Sequence, residues 1–255
     1  MTDIRALLEQ PLLVLLVSLA AFWVSARIGN LLAQGRKREE GDGDDFSFLL
    51  GATLTLLGLI VGFTFSMAVG RYDQRKNYEE QEANAIGTEY VRADLMPPAD
   101  ATKVRNLLRR YLDARVRYYE DTDAQRLREI DALTARLQAE MWAVVSAYGS
   151  AQPTPVAALV VSGMNDVLNS QGYTQAAWWN RIPRGAWVLM FAIAIFCNLL
   201  VGFGAHGRSA VLFLILPIAL SITLFLIADI DSPRGGVIQV KPQNLDAVAE
   251  SLRPQ

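Results

Sequence analysis

The sequence predicts an all-α integral membrane protein with four transmembrane helices and a helical-bundle insertion between spans two and three. Three observations carry that prediction. Apolar residues make up 52% of the 255-residue chain and charged ones 20%, and the two populations are segregated along it. Four apolar windows reach the roughly 20 residues that a helix needs to cross a hydrocarbon core: Leu12 to Ala33, Phe46 to Val69, Gly185 to Ala205 and Ser209 to Ile230. Finally, nowhere does the sequence show the apolar/polar alternation that a half-buried strand requires.

The first window opens with a run that could pass for the apolar part of a signal peptide. A cleavable signal wants a basic start, and Met1-Thr2-Asp3-Ile4-Arg5 with Glu9 reads instead as the lead into a retained span. Arg27 interrupts this window and can snorkel toward the nearby interface. The second window runs without a Pro or Gly-Pro break into Arg71-Tyr72-Asp73-Gln74-Arg75-Lys76. An apolar helix therefore continues as a charged one, which a simple anchor would not do.

The insertion reads as three helices. After Pro97-Pro98, Asp100 is placed to cap a helix whose Val104, Leu107, Leu108, Tyr111, Leu112, Val116 and Tyr119 recur at spacings of three and four, with an Arg-rich opposite face. A second starts near Asp123 and carries the near-heptad seam Leu127, Ile130, Leu133, Leu137, Met141, Val144 and Tyr148, with Gly149 and Pro153 expected to stop it. A third is predicted from Pro155 to Asn169. Short connections favour antiparallel packing, so a compact bundle standing on the membrane is expected. The chain thus divides into a transmembrane hairpin over 1–70, a soluble helical domain over 71–184, a second hairpin over 185–231 and a tail over 232–255.

Basic residues near the span ends divide almost evenly between the two sides. Arg36, Lys37 and Arg38 lie in the first short turn, followed by the acidic run Glu39-Glu40-Gly41-Asp42-Gly43-Asp44-Asp45. Acidic residues count little in the positive-inside rule, so charge alone does not set the orientation.

Catalytic groups are scarce. The one cysteine, Cys197, lies in the third span and the one histidine, His206, in the turn after it, which excludes a disulfide framework and a cysteine metal site. No His-Glu-x-x-His helix, Gly-rich phosphate loop or Gly-x-Ser-x-Gly turn occurs. No enzyme activity, cofactor or metal is expected. A net charge of −2, balanced across the insertion, gives no basic footprint for nucleic acid. The remaining carboxylates of interest are Asp229 and Asp231, ending span four before Ser232-Pro233. They read as membrane-boundary residues beginning a turn, as a helix-end cation site, or as salt-bridge partners of a basic helix such as the one holding Arg71 and Arg75.

Span two has a pattern that the other spans lack. Gly58, Gly62, Ser66 and Gly70 recur every four residues, a small-residue strip that lets another helix approach closely. Beside it Thr55, Leu59 and Phe63 form a ridge of larger side chains. The bland reading is tight helix packing. Repeated around a symmetric ring, the same ridge would make an apolar constriction able to gate by dewetting. Arg71, Arg75 and Lys76 follow, either as an interfacial collar or as a ring of charge that concentrates anions.

The run Gly62-Phe63, then Arg71-Tyr72-Asp73-Gln74-Arg75-Lys76, then Asn84-Ala85-Ile86-Gly87, resembles the bestrophin channels, in which a Gly-Phe in the second span leads to an Arg-aromatic pair and an Arg-Lys. Asp231-Ser232-Pro233-Arg234-Gly235 is similar to the Asn-Pro-Phe-Gly segment after their fourth span. The chain more closely resembles a bacterial membrane family labelled bestrophin-like, through Phe63 to Ala68, Glu82 to Thr88 and Ala93 to Leu95, over a stretch from about Phe46 to Leu245. The bestrophin resemblance implies a pentamer around a central pore, termini and insertion in the cytoplasm, and Thr55, Leu59 and Phe63 at the pore neck. Asp73 stands where a second aromatic is expected, and the acidic calcium-binding stretch of animal bestrophins is missing. Calcium control is therefore not implied.

The reading that results is a homo-oligomeric, pentameric bestrophin-like ion channel of the bacterial inner membrane, multi-pass, with anions slightly favoured over cations. Its partners are membrane lipids, small inorganic ions and further copies of itself. The competing class is a non-conducting membrane scaffold whose helical domain binds a partner protein through the Asp123 to Tyr148 helix. Solvent exposure of Leu133, Leu137 and Met141 would favour the scaffold.

Overall fold

The computed structural model describes residues 10–34, 42–204 and 212–253. His206, the cluster Arg36-Lys37-Arg38 with Glu39-Glu40-Gly41, the opening residues Met1 to Glu9, and the window ends Ala205 and Ser209 lie outside the described residues. Among those described there are eight α-helices, one 3-10 turn and no strand. The helices are α1 (Pro11–Gln34), α2 (Asp42–Arg92), α3 (Pro98–Glu120), α4 (Ala124–Ala151), α5 (Pro155–Trp179), α6 (Arg184–Gly204), α7 (Leu212–Asp231) and α8 (Gln243–Ser251), with the 3-10 turn at Ala93–Leu95. Candidate membrane spans, four in number, fall in α1, in α2, within Pro155–Gly204, whose apolar part is α6, and in α7.

Helix α2 is unbroken over 51 residues. At 1.5 Å per residue that is about 75 Å, more than twice the ~30 Å hydrocarbon thickness. Only its apolar first half suits the membrane; from Arg71 onward charge recurs at every turn. Backbone contacts divide the chain into two compact units, Met1–Tyr72 with Arg181–Gln239, and Asp73–Asn180 with Val240–Gln255.

In the first unit, Phe22, Leu57, Trp187, Met190, Cys197, Leu224 and Ile227 belong to one buried cluster. Lipid tails are as apolar as these side chains, so close backbone approach and dispersion must supply the helix association. Glycine provides it where α1 crosses α6. A Cβ on Gly29 would run into the Leu199 carbonyl, and one on Gly202 into that of Ala26. At the same crossing Ser25 Oγ donates to the Ile195 carbonyl at 2.7 Å, and the Phe22 and Phe191 rings lie 6.1 Å apart.

In the second unit, Val104, Leu107, Leu108, Tyr111, Leu112 and Tyr119 of α3 are buried as one face. The α4 seam is likewise turned inward: Leu137 and Met141 are fully buried and Leu133 half-buried. Three expectations about these helices are corrected. Asp100 lies inside the first turn of α3; Pro97 is the N-cap and offers no side-chain bond. Helix α4 passes through Gly149 to Ala151, because that glycine, tolerable in a helix at about 1 kcal/mol, makes room for Val161 of α5. Helix α5 continues ten residues beyond Asn169 to Trp179, since Thr174, Ala177 and Trp178 keep an apolar face packed past the polar Asn169-Ser170-Gln171 run. Side chains cap the next two helices: Asp123 accepts from the Gln125 and Arg126 amides at 2.9 Å, and Thr154 from that of Ala157 at 3.1 Å.

Candidate functional site

Helix α2 presents two opposite faces. In its apolar half Leu57, Thr64 and Ala68 are buried, while Thr55, Leu59 and Phe63 are exposed on the other side, Leu59 by 53% and Phe63 by 66%. The Thr55 hydroxyl is spent on the Gly51 carbonyl at 2.9 Å, leaving its methyl outward. Beside this ridge Gly58, Gly62, Ser66 and Gly70 are exposed too, and a Cβ on any of the three glycines would meet nothing within 4 Å. The glycines that bring membrane helices together within the protomer are Gly29 and Gly202, where α1 crosses α6. The α2 strip is not packed against other described residues of the chain.

The three basic residues after this strip have different surroundings. Arg71 is half-buried with its Nη1 at 3.7 Å from Asp231 Oδ1. Arg75 is buried, and Lys76 is exposed.

Asp229 and Asp231 are both buried. The Asp229 carboxylate accepts from the amides of Val237 and Ile238 at 2.7 and 2.8 Å, folding the Pro233–Gly236 turn back onto the end of α7. The turn comes so close that a Cβ on Gly236 would lie 2.5 Å from the Asp229 carbonyl oxygen. Asp231 accepts from the Ile182 amide at 3.2 Å, and its carbonyl takes the Arg181 guanidinium at 2.8 Å. These contacts tie the α7 end to the α6 entry. Among the described residues no three His, Cys, Asp or Glu side chains gather as metal ligands would.

The charged half of α2 buries a row of charged side chains, of which the sequence had singled out Arg75 alone. Arg75, Glu79, Glu82, Ile86, Glu89 and Ala93 are all buried, at spacings of four and three that make them a single helix face. Glu82 is satisfied by four donors: Arg115 Nε, Arg115 Nη2 at 3.4 Å, the Thr174 hydroxyl at 3.0 Å and the Tyr119 hydroxyl at 3.5 Å. Arg115 lies over the Tyr118 ring at 4.4 Å. Burial works against its charge, but Glu82 and Tyr111 prevail and raise its pKa; burial and Glu82 together push the phenols of Tyr111 and Tyr119 up as well.

Glu79 takes the Asn244 amide at 2.9 Å, the Leu245 amide at 2.9 Å and Asn244 Nδ2 at 2.6 Å. Pro242, the N-cap of α8, has no side chain able to cap. The Glu79 carboxylate supplies that function from α2, an anion at a helix N-terminus. The signal for this face was in the sequence, in charges recurring at helical spacing in phase with Ile86, but a charge pattern alone does not say which side is buried.

An open groove of about 810 Å³ lies between the end of α4 and the start of α5, lined among others by Trp142, Ser146, Gly149, Ala158 and Val161. None of its lining residues is acidic, basic or nucleophilic enough to suggest chemistry.

Fold and faces define a class: an all-helical, multi-pass membrane protein with four candidate spans and a helical domain inserted between the second and third. The chain belongs to the bestrophin-like family, whose domain description, "Bestrophin-like domain", matches residues 12–245. Among solved structures it is similar to a bacterial bestrophin homologue from Klebsiella pneumoniae, at 15% identity and TM-score 0.64, over 93% of this chain and 95% of that one. A single-site variant of the Klebsiella pneumoniae homologue gives 15% identity and TM-score 0.65 over 93% of both chains. A variant described only as a membrane protein gives 13% and 0.66, over 93% of this chain and 96% of that one. At these identities the likeness is one of fold. No curated protein matches the chain significantly.

Proposed function

We propose that this protein is a homo-oligomeric ion channel, a pentamer in which α2 from each copy lines a central axis and Thr55, Leu59 and Phe63 form an apolar neck. The observation that carries the reading is the exposed face of α2. Large apolar side chains stand in a ridge, and the glycine strip beside them has empty space where a neighbouring helix could approach. Membership of the bestrophin-like family supports the same reading.

On that reading an apolar neck gates by wetting and dewetting and has no charge with which to choose an ion. Anions are slightly favoured over cations, with Lys76 as the open charge of the Arg71, Arg75 and Lys76 group and Arg71 partly neutralised by Asp231. The protein sits in the bacterial inner membrane with its helical domain in the cytoplasm, contacting lipid, small inorganic ions and its own copies. The α4 seam lends no support to the scaffold alternative, because Leu137 and Met141 are packed inside their own bundle.

Current recordings on protein reconstituted in planar bilayers, under opposed chloride and potassium gradients, test this function. Discrete currents whose reversal potential lies toward that of chloride are expected. Bilayers that stay silent with protein inserted would count against conduction, and reversal at the potassium potential would reverse the ion preference.

A further inference from the structure

Glu89 is the member of the buried α2 face that nothing satisfies. It is 0% exposed, and neither of its carboxylate oxygens has a hydrogen-bond partner among the described residues. Its position is fixed by Gly163 of α5: the Glu89 carboxylate and the Arg92 guanidinium both occupy the space that a Cβ on residue 163 would take. The charged groups facing it are Arg92, one turn along the same helix, and Asp166 on α5. Glu79 and Glu82, on the same face, differ sharply, each having at least three donors.

A buried carboxylate without donors disfavours its charged form. Burial pushes Glu89 up to about 8, Arg92 opposing and Asp166 adding to the rise. The neutral acid suits this packing better than the anion, since neither carboxylate oxygen has a donor to hold a negative charge. Ionised, the same group would have to draw in water or close up on the Arg92 guanidinium beside it, and either movement disturbs the glycine contact.

We propose that Glu89 is a proton-binding site of the helical unit, loaded where α2 packs on α5 at Gly163, and that release of its proton to solvent loosens that contact. The site goes beyond the channel reading and does not depend on it, because proton binding is measured on purified protein whether or not it conducts. The sign of the linkage follows from the direction of the shift. The folded protein holds this proton more tightly than the unfolded chain, so stability falls as pH rises from about 4.5 to about 8 and levels off above.

The test uses the full-length protein in detergent. Thermal unfolding is followed by tryptophan fluorescence from about pH 5 to about pH 9, for the wild type and for Glu89→Gln, which mimics the neutral acid. Wild-type Tm should drop relative to the variant by on the order of 5 °C across that window. Coincident pH profiles would overturn the proposal. Infrared difference spectra of the wild type provide a readout that needs no Glu89 variant: a protonated carboxyl band should vanish as pH rises, and Asp166→Asn should move its midpoint to lower pH. A spectrum with no such band, or a midpoint that Asp166→Asn leaves in place, would overturn it equally.

Discussion

Arg115 and Glu82 meet with both side chains at 0% exposure, in the interior of the helical unit and 33 residues apart in sequence. Removing one partner from such a pair strands the other in low dielectric, which costs more than the intact pair contributes. Arg115→Leu should therefore destabilise the protein by about 3–5 kcal/mol. The double variant Glu82→Leu with Arg115→Leu should recover much of that loss. Thermal unfolding in detergent measures both, and a double variant no more stable than the single one would show that the pair's hydrogen bonds to Thr174 and Tyr119 matter more than its charge balance.

The glycines make a paired prediction. Gly29→Ala pushes a methyl into the Leu199 carbonyl of the same protomer, an overpacking that costs about 1–3 kcal/mol. Gly62→Ala meets nothing within the protomer, so the monomer should lose no stability and any loss should fall on assembly. Unfolding temperature and oligomer mass, measured side by side, separate the two. Equal losses of stability in both variants would mean that Gly62 has an intraprotomer role.

Glu79 holds the tail helix by its first-turn amides. Glu79→Ala should free α8, leaving the Asn244 and Leu245 amides unpaired at a local cost of about 1–3 kcal/mol. Limited proteolysis should then cut within 243–251 much faster than in the wild type. An unchanged rate of tail cleavage would show that packing, such as Val248 against Gly87, suffices without the cap.

Phe63→Ala should widen the proposed neck and raise or deregulate conductance while assembly stays intact. Single-channel recording reads the first effect and size-exclusion chromatography the second. Unchanged currents in a conducting protein would remove Phe63 from the neck.

The four spans and the unbroken passage of α2 out of its apolar half were legible because both depend on local composition: long apolar windows, and no proline between Val69 and Arg92. The α3 face and the α4 seam were legible from spacing alone. The end of α5 was not, because Asn169-Ser170-Gln171-Gly172 reads as a polar stop while Thr174 and Trp178, buried against partners far away in sequence, hold the helix together. The burial of Arg115 was not legible for the same reason: its partner is on another helix, and periodicity treats every charge as solvent-facing. The roles of Asp229 and Asp231 were open in the sequence because the turn that brings the Val237 and Ile238 amides back to Asp229 is a tertiary event, made possible by Gly236. The exposed ridge of Thr55, Leu59 and Phe63 shows in the sequence as a period of four, but a period does not say what covers it.

Single-particle imaging of the detergent-purified protein tests the central claim most directly, because it shows what faces α2. A closed five-fold ring with Thr55, Leu59 and Phe63 turned toward the axis is expected. A monomer, or a two-fold dimer with no axial opening, would contradict it.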